Sequence, residues 1–167
     1  MIMNNSRGSG VAIIDYFEYF RAVNRPSRPH YHGYMNKEEY KQANIDFLRA
    51  KAAEEGVVKL QGGVLVEVLS SGVGTKCPVL GSVVMTRYRG TLIDGREFDR
   101  SDDTSPIIEP FRVRDVIAGW QVALIRMHKG DKWRVYIPAT YAYGNKRVDN
   151  IPANSTLIFD IELVDFQ

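Results

Sequence analysis

Two tyrosines stand on either side of a single alanine in the stretch TYAYGNKRVDNIP, residues 140–152. A phenol combines an apolar ring with a hydroxyl that can donate a hydrogen bond, so such a residue suits the lip of an apolar pocket. Side chains alternate along an extended segment, which predicts that Tyr141 and Tyr143 face the same way. Ala142 is small, and Gly144 permits a turn after the second phenol. The alternative interpretation is core packing, with both hydroxyls bonded locally.

The common nucleophile, metal and cofactor motifs are missing from the sequence. It contains no G-x-S-x-G elbow, Walker loop or H-E-x-x-H, and GVGTKCPVLG lacks the third glycine of a dinucleotide-binding turn. Cys77 is the single cysteine, and no histidine is near it in sequence to activate a thiol. The acidic cluster of Asp99, Asp102 and Asp103 lacks EF-hand spacing, and a polar loop is the better interpretation. We therefore expect neither a metal nor a cofactor.

Composition indicates an ordinary globular protein with one domain-sized core. Of the 167 residues 44% are hydrophobic and 25% are charged, which is typical of that class. The net charge of +2 is too small to favour nucleic acid as a partner. No run of about 18 apolar residues occurs, so we expect no membrane span.

The first 35 residues are predicted to be largely irregular, with one short apolar element, VAIIDYFEYF. His30 and His32 are two residues apart, but no third metal ligand is evident, so a solvated loop is favoured over a metal site. The apolar run Val11–Ile14 is shorter than a secretory signal peptide requires. We expect a cytoplasmic protein, with the bacterial periplasm as the alternative if a leader has been removed.

A helical extension is predicted over residues 36–56. Asn36 and Glu39 have the spacing of a capping box, and Gly56 is a natural C-terminal stop. An apolar stripe at helical spacing consists of Tyr40, Ala43, Phe47 and Ala50. The stripe either packs on its own chain or serves as a dimer interface, and the sequence leaves both open.

From about Leu60 to Gln167 the chain has strand character. Four runs are rich in β-branched and aromatic residues: VLVEVL, SVVMTRYRGTLI, DKWRVYIP and STLIFDIELVDF. In the last run, Leu157, Phe159 and Ile161 alternate with polar residues, as in a half-buried antiparallel strand.

One helix interrupts these runs. From about Val116, the segment VIAGWQVALIRM places Val116, Trp120, Leu124 and Met127 on one side. The dipeptide Asp-Gly at 94–95 is a turn signal between strand-like pieces. This order indicates an α+β domain in which an antiparallel sheet wraps around a helix.

Four blocks in this order carry a resemblance to a known family: RYRGTLIDGREFDRS, VIAGWQVAL, YAYG, and Ile-Pro followed by NSTLIFDIELV. Together they resemble the FKBP-type peptidyl-prolyl cis-trans isomerases, and the resemblance covers residues 60–167. FLRAKAAEEGVV is similar to the segment that precedes this domain in bacterial members with an N-terminal extension. The resemblance implies a twisted antiparallel half-barrel of five or six strands around one short helix.

The resemblance also implies an activity and a set of site residues. The activity is rotation about the peptide bond that precedes proline, in an aromatic pocket with Trp120 as its floor. Tyr143 would aim its hydroxyl at a substrate carbonyl, whereas Tyr141 would be structural. The implied catalytic residues are Tyr88, Phe98, Asp99, Ile117, Trp120, Tyr143 and Phe159, and the implied substrate-binding residues are Val116, Ala142 and Ile151.

The implied partners are proline-containing polypeptides and macrolides such as tacrolimus or rapamycin, and a homodimer through the N-terminal extension is a further expectation. Three positions depart from the usual family pattern. Asp103 lies where an arginine near the Phe-Asp pair is common, Glu109 where the pocket wall is often apolar, and Asn150 where a second apolar flap residue is common. They favour an alternative function, a weakly catalytic or non-catalytic chaperone or binding module.

Overall fold

The computed structural model describes residues 35–167, which form one compact unit. Its helices and strands, numbered in chain order, are α1 (Lys37–Ala52), β1 (Val57–Lys59), β2 (Leu65–Ser70), β3 (Val83–Thr91), β4 (Glu97–Arg100), β5 (Pro110–Arg112), α2 (Ala118–Leu124), β6 (Lys132–Ile137) and β7 (Leu157–Phe166). The interpretations of VAIIDYFEYF and of His30 and His32 lie outside the described residues.

Helix α1 begins as its capping box predicts. The side chain of Asn36 accepts hydrogen bonds from the backbone N–H groups of Glu38 and Glu39, both at 3.0 Å. The Glu39 carboxylate accepts in return from the Asn36 N–H, at 2.8 Å. Two backbone donors of the first turn and that of the N-cap are thereby satisfied, so the helix has a defined start. The helix ends four residues before Gly56, whose φ of +82° fits a turn.

One face of α1 packs on the sheet of the same chain. Phe47 is buried, and its ring centroid lies 6.1 Å from that of Tyr136 on β6. Ala43 is buried beside it, but Ala50 is exposed, so the predicted apolar stripe is shorter than expected. The buried face includes Asn44 instead, a polar residue that the apolar pattern could not identify.

Asn44 fixes α1 to the loop before β7. Its amide Nδ2 donates to the carbonyl of Tyr40 at 2.8 Å, and its Oδ1 accepts from the backbone N–H of Thr156 at 2.7 Å. The hydroxyls of Tyr40 and Ser155 are also 2.8 Å apart. Buried polar groups paired in this way specify one position of the helix on the sheet.

The seven strands form one antiparallel sheet in the order β1-β2-β6-β7-β3-β4, with β5 pairing separately with β3. The predicted half-barrel of five or six strands is therefore confirmed in architecture and corrected in number. The additional members include the three-residue strands β1 and β5, which are too short to show an alternating pattern. Strand β7 is the long central strand, and its alternating burial from Leu157 confirms the half-buried strand read from the sequence.

Helix α2 packs on the inner face of the sheet. Trp120, Val122 and Leu124 are buried in the same cluster as Phe159 and other β7 side chains. The helix begins at Ala118 rather than near Val116, because residues 116 and 117 have extended backbone angles. Among the helices of residues 35–167, none has the length and apolar character needed to cross a bilayer.

Candidate functional site

Five aromatic rings on the inner face of the sheet form a continuous cluster, called here the aromatic cup. The centroid of Trp120 lies 5.1 Å from that of Tyr88 and 5.2 Å from that of Phe159. Phe98 lies 5.4 Å from Phe159, and Phe111 lies 6.4 Å from Trp120. Most of these contacts are edge-to-face, the arrangement that the ring quadrupoles favour. The cup is thus an apolar surface with fixed geometry.

A glycine on β3 makes room for two of the rings. A Cβ atom at Gly90 would lie 2.7 Å from Cζ of Phe98 and 2.8 Å from Cε1 of Phe159. Real side chains do not approach so closely, so any larger residue would displace both rings. The edge contact between these two phenylalanines therefore depends on the missing side chain.

The rim of the cup carries a phenol and a carboxylate in contact. The Tyr88 hydroxyl donates to Oδ2 of Asp99 at 3.1 Å. Burial, together with the nearby negative charges of Asp99 and Glu109, raises the pKa of Tyr88 to about 12. Tyr88 consequently stays protonated and holds the carboxylate in place at neutral pH.

The start of α2 presents a backbone donor to the cup. Ile117 is the N-cap of the helix, and its carbonyl accepts from the N–H groups of Trp120 and Gln121. Its own N–H forms no hydrogen bond with any atom of residues 35–167. The side chain of Gln121 donates to the carbonyl of Val116 at 2.8 Å and thereby fixes the peptide that contains this N–H. A free donor next to an apolar floor is available for a ligand carbonyl.

A second free donor comes from the loop between β6 and β7. Tyr143 is 38% exposed, and its hydroxyl has no hydrogen-bond partner among residues 35–167. Partial burial raises the pKa of this phenol, and the negative charges of Asp99 and Asp149 act in the same direction. The Asp99 carboxylate raises the pKa of both phenols, Tyr88 and Tyr143, so both lie in its neighbourhood.

The loop does not have the extended conformation predicted for it. Residues Ala139–Tyr141 form a 3-10 turn, and Ala142 has φ −124° and ψ −112°. The two tyrosines therefore take different positions. The ring of Tyr141 covers the backbone of Gly62, where a Cβ atom would overlap it, whereas Tyr143 reaches the rim. The predicted alternation is therefore wrong for these two tyrosines, because the segment is not extended.

The flap after Tyr143 returns to the core at one residue. Val148 and Ile151 form an isolated antiparallel bridge with hydrogen bonds of 3.0 and 2.8 Å. Ile151 is buried in the core cluster, whereas Asn150 beside it is exposed. The polar residue thus faces solvent and does not enter the cup.

The comparison with known families agrees with this architecture. Residues 74–164 match the model of the FKBP-type peptidyl-prolyl cis-trans isomerases, more than half of the chain. The chain belongs to this family.

Curated FKBP relatives share about two fifths of their matched residues with the chain. FkpA of Escherichia coli strain K12, named an FKBP-type peptidyl-prolyl cis-trans isomerase, is 42% identical over 114 residues, which cover 68% of this chain and 42% of FkpA. A probable FKBP-type 25 kDa isomerase of Pseudomonas aeruginosa is 41% identical over 126 residues, covering 75% of this chain and 53% of that protein. The matches thus span about half the length of these FKBP relatives.

Solved FKBP structures share the fold. A peptidyl-prolyl cis-trans isomerase from Pseudomonas syringae pv. tomato superposes with a TM-score of 0.71 at 36% identity, covering 79% of this chain and 96% of that one. FkpA from Escherichia coli superposes with a TM-score of 0.72 at 38% identity, covering 78% of this chain and 60% of that one.

The structure brings most of the family-implied residues together. Tyr88, Phe98, Trp120 and Phe159 form four of the five walls, with Asp99 at the rim. The fifth wall, Phe111 on β5, is not among the residues that the family resemblance implies. Val116, Ile117, Ala142 and Ile151 line the surrounding core.

Phe111 has a sequence signal that was available. It occupies the end of PIIEPF, two residues after the glutamate that departs from the family pattern. The aromatic wall is therefore present, and Glu109 is exposed beside it. The other departure, Asp103, accepts from Arg100 at 3.0 Å, so the nearby arginine pairs within its own loop and not with Asp99.

Proposed function

We propose that this chain is a peptidyl-prolyl cis-trans isomerase that accelerates rotation about X–Pro peptide bonds and so assists protein folding. The observation that carries the proposal is the aromatic cup with two hydrogen-bond donors that have no partner among residues 35–167, the Ile117 N–H and the Tyr143 hydroxyl. Membership of the FKBP family, and the isomerase activity for which the relatives are named, support the same activity. The matches cover only about half the length of those relatives, so the aromatic cup of this chain remains the main support for the activity.

The energy required is modest. Rotation about a peptide bond has a barrier of about 18 to 20 kcal/mol, and uncatalysed X–Pro exchange takes tens of seconds or more. An acceleration of about 10⁴-fold corresponds to about 5.5 kcal/mol. The bond rotates and none is broken, so the reaction requires no nucleophile.

The aromatic cup can supply part of this energy by replacing water around the prolyl amide. The planar amide is stabilised by charge separation between oxygen and nitrogen, and rotation reduces that separation. Rings around Trp120 offer the amide nitrogen few polar partners, so the planar form loses more hydration than the rotated one. A prolyl ring also matches an apolar floor bounded by edges of aromatic rings.

The two donors supply the remainder. A hydrogen bond made only when the carbonyl has rotated lowers the barrier without tightening substrate binding. Tyr143 is on a loop and Ile117 at a helix start, so their donors approach the cup from different elements. The Tyr88 hydroxyl donates to Asp99, so this phenol is already engaged and is not a third free donor.

The direct test is acceleration of prolyl-limited refolding. The purified chain at a concentration far below that of the refolding protein should increase the slow folding rate, and the effect should be lost when peptide substrate is added in excess. A parallel measurement on a proline-free client that aggregates distinguishes the alternative of a chaperone without catalysis. Suppressed aggregation with no acceleration of the prolyl step would overturn the proposed activity.

Three finer expectations join this proposal. Tacrolimus or rapamycin would occupy the cup through its apolar floor, and competitive inhibition of the refolding assay tests this.

Homodimerisation would require surfaces other than the buried face of α1, since Phe47 packs within its own chain. Sedimentation of the full chain against a chain starting at Met35 tests that expectation. A cytoplasmic location, with the periplasm as alternative, is tested by fractionation of the producing cell.

A further inference from the structure

A cavity of about 490 Å³ adjoins the aromatic cup on the side of β4 and β5. Two cup residues, Tyr88 and Phe111, form the wall that the cavity shares with the cup. The rest of the lining comes from β3 and from residues 100–109, the loop between β4 and β5. A polypeptide with its proline in the cup would therefore have neighbouring residues within reach of this cavity.

The cavity exists because β3 has a gap in its pairing. Strand β4 pairs with residues 89–91 of β3, and β5 pairs with residues 83–85. Between them Tyr88 is bonded through both backbone groups to Ser101, but Thr86 has no strand opposite it on that edge. The loop arches over this interval and leaves space beneath it.

The gap contains an unsatisfied polar group. Thr86 lines the cavity and is only 1% exposed, and its hydroxyl has no hydrogen-bond partner among the described residues. A buried hydroxyl without a partner costs about 1 to 3 kcal/mol, so the gap in the pairing of β3 carries an energetic cost.

The positive charges around the cavity are already paired. Arg87 donates to the carbonyls of Asp102 and Ser105, at 3.5 and 3.4 Å. Arg100 donates to the Asp103 carboxylate at 3.0 Å. The loop therefore holds its two arginines in place with its own oxygen atoms.

The negative charge of Glu109 is not paired in this way. The ion pairs of the loop and its flanking strands join Arg87 to Asp103, Arg100 to Glu97 and Asp103, and Arg89 to Glu97, and none of them includes Glu109. Glu109 is exposed, lines the cavity and is near enough to influence Tyr88. Asp99 adds a second carboxylate at the same rim, with the Tyr88 hydroxyl as its side-chain partner.

We infer that this cavity is a specificity subsite of the proposed isomerase, in which Glu109 selects substrates with a lysine or arginine next to the proline. The rings of Tyr88 and Phe111 suit the methylene stem of such a side chain and offer its cation a π face. The ammonium or guanidinium group then lies near the Glu109 carboxylate. An acidic neighbour meets the negative charges of Glu109 and Asp99 instead and is disfavoured.

The test measures kcat/KM for peptides that differ only at one residue adjoining proline. Lysine, glutamine and glutamate are compared at the position before proline and, in a second series, at the position after it. At low salt the lysine peptide should exceed the glutamate peptide by about two- to five-fold in at least one series, the range of an exposed ion pair. The difference should shrink in 0.5 M salt because exposed charges are screened over about a Debye length.

Two variants and a matched control isolate the carboxylate. Glu109→Gln should remove most of the preference for lysine over glutamate, and Glu109→Lys should reverse it. Glu55→Gln removes the same charge from an exposed position in the turn after α1 and should leave the preference intact.

The inference rests on the proposed function, and the assay separates their failures. If no peptide is isomerised, the function itself is wrong. If all peptides are isomerised at equal rates by the unmodified chain, or if Glu109→Gln keeps the preference, the activity stands and the subsite is refuted.

Discussion

Removing one hydroxyl at the rim of the cup separates catalysis from folding. Tyr143→Phe keeps the ring and deletes an oxygen that has no hydrogen-bond partner among residues 35–167. Tyr143 is also one of the more exposed large side chains, at 38%. The folded chain therefore loses no internal contact, and the free energy of unfolding should change by less than about 0.5 kcal/mol.

The effect on the reaction should be larger. If the phenol donates to the rotating carbonyl, the variant loses one hydrogen bond in the transition state, worth about 0.5 to 1.5 kcal/mol. That corresponds to a fall of about two- to thirteen-fold in kcat/KM. The reduction should appear mainly in kcat, because the bond is made in the rotated state rather than in the planar one.

The same substitution elsewhere gives the control. Tyr136→Phe removes a hydroxyl that donates to Oε2 of Glu67 at 3.1 Å, between β6 and β2. It should lower the free energy of unfolding by about 1 kcal/mol and leave kcat/KM unchanged. Both variants are measured by peptide isomerisation and by urea unfolding. Full activity in Tyr143→Phe, or a loss of stability equal to that of Tyr136→Phe, would refute the assigned role.

Three further outcomes follow from the packing and the charges. Gly90→Ala drives a methyl group into the two phenylalanine rings above it and should cost about 1 to 3 kcal/mol in urea unfolding together with a drop in kcat/KM; an active, fully stable variant would contradict the close approach. Asn44→Ala leaves a buried N–H of the loop before β7 without its acceptor and should cost about 1 to 3 kcal/mol while sparing kcat/KM per folded molecule; an unchanged urea midpoint would contradict it. Burial raises the pKa of Tyr88 from 10.0 to about 12, so its contribution to stability is complete below pH 10 and is lost as the pH rises towards 12. Tyr88→Phe should flatten that alkaline loss, and an identical pH profile of unfolding would argue against the raised pKa.

The sequence predicted those features of the fold that depend on residues close together within one helix or strand. Alternation in β7 and the capping box of α1 depend on neighbours a few positions away, so both could be predicted. Asn44 could not, because its partner Thr156 is brought to it only by the docking of α1. The three-residue strand β5 could not be predicted either, because it is too short to show an alternating pattern and is defined by its pairing with β3.

Within the site, too, residues that belong to a local motif could be predicted, whereas those placed by distant contacts could not. The rings on α2 and β7 were placed by motif, but Phe111 was missed because the glutamate two positions earlier suggested a polar wall. The conformation of residues 139–143 was wrong for a related reason. Alternation assumes an extended chain, whereas Tyr141 is drawn over Gly62, more than seventy positions away in the sequence, into a space that only a glycine leaves open.

The cup also explains why its floor is a poor place to test the mechanism. Trp120 is 5% exposed and contacts the rings of Tyr88, Phe111 and Phe159, so the residue that would receive the prolyl ring is also part of the core. Truncating such a tryptophan to alanine costs about 3 to 5 kcal/mol, a large fraction of the 5 to 15 kcal/mol that holds a typical domain together. Lost activity in Trp120→Ala would therefore not distinguish a missing floor from a missing fold. At the rim, the hydroxyl of Tyr143 and the carboxylate of Glu109 have no partner among residues 35–167, so catalysis and specificity can change there while the fold stays as it is.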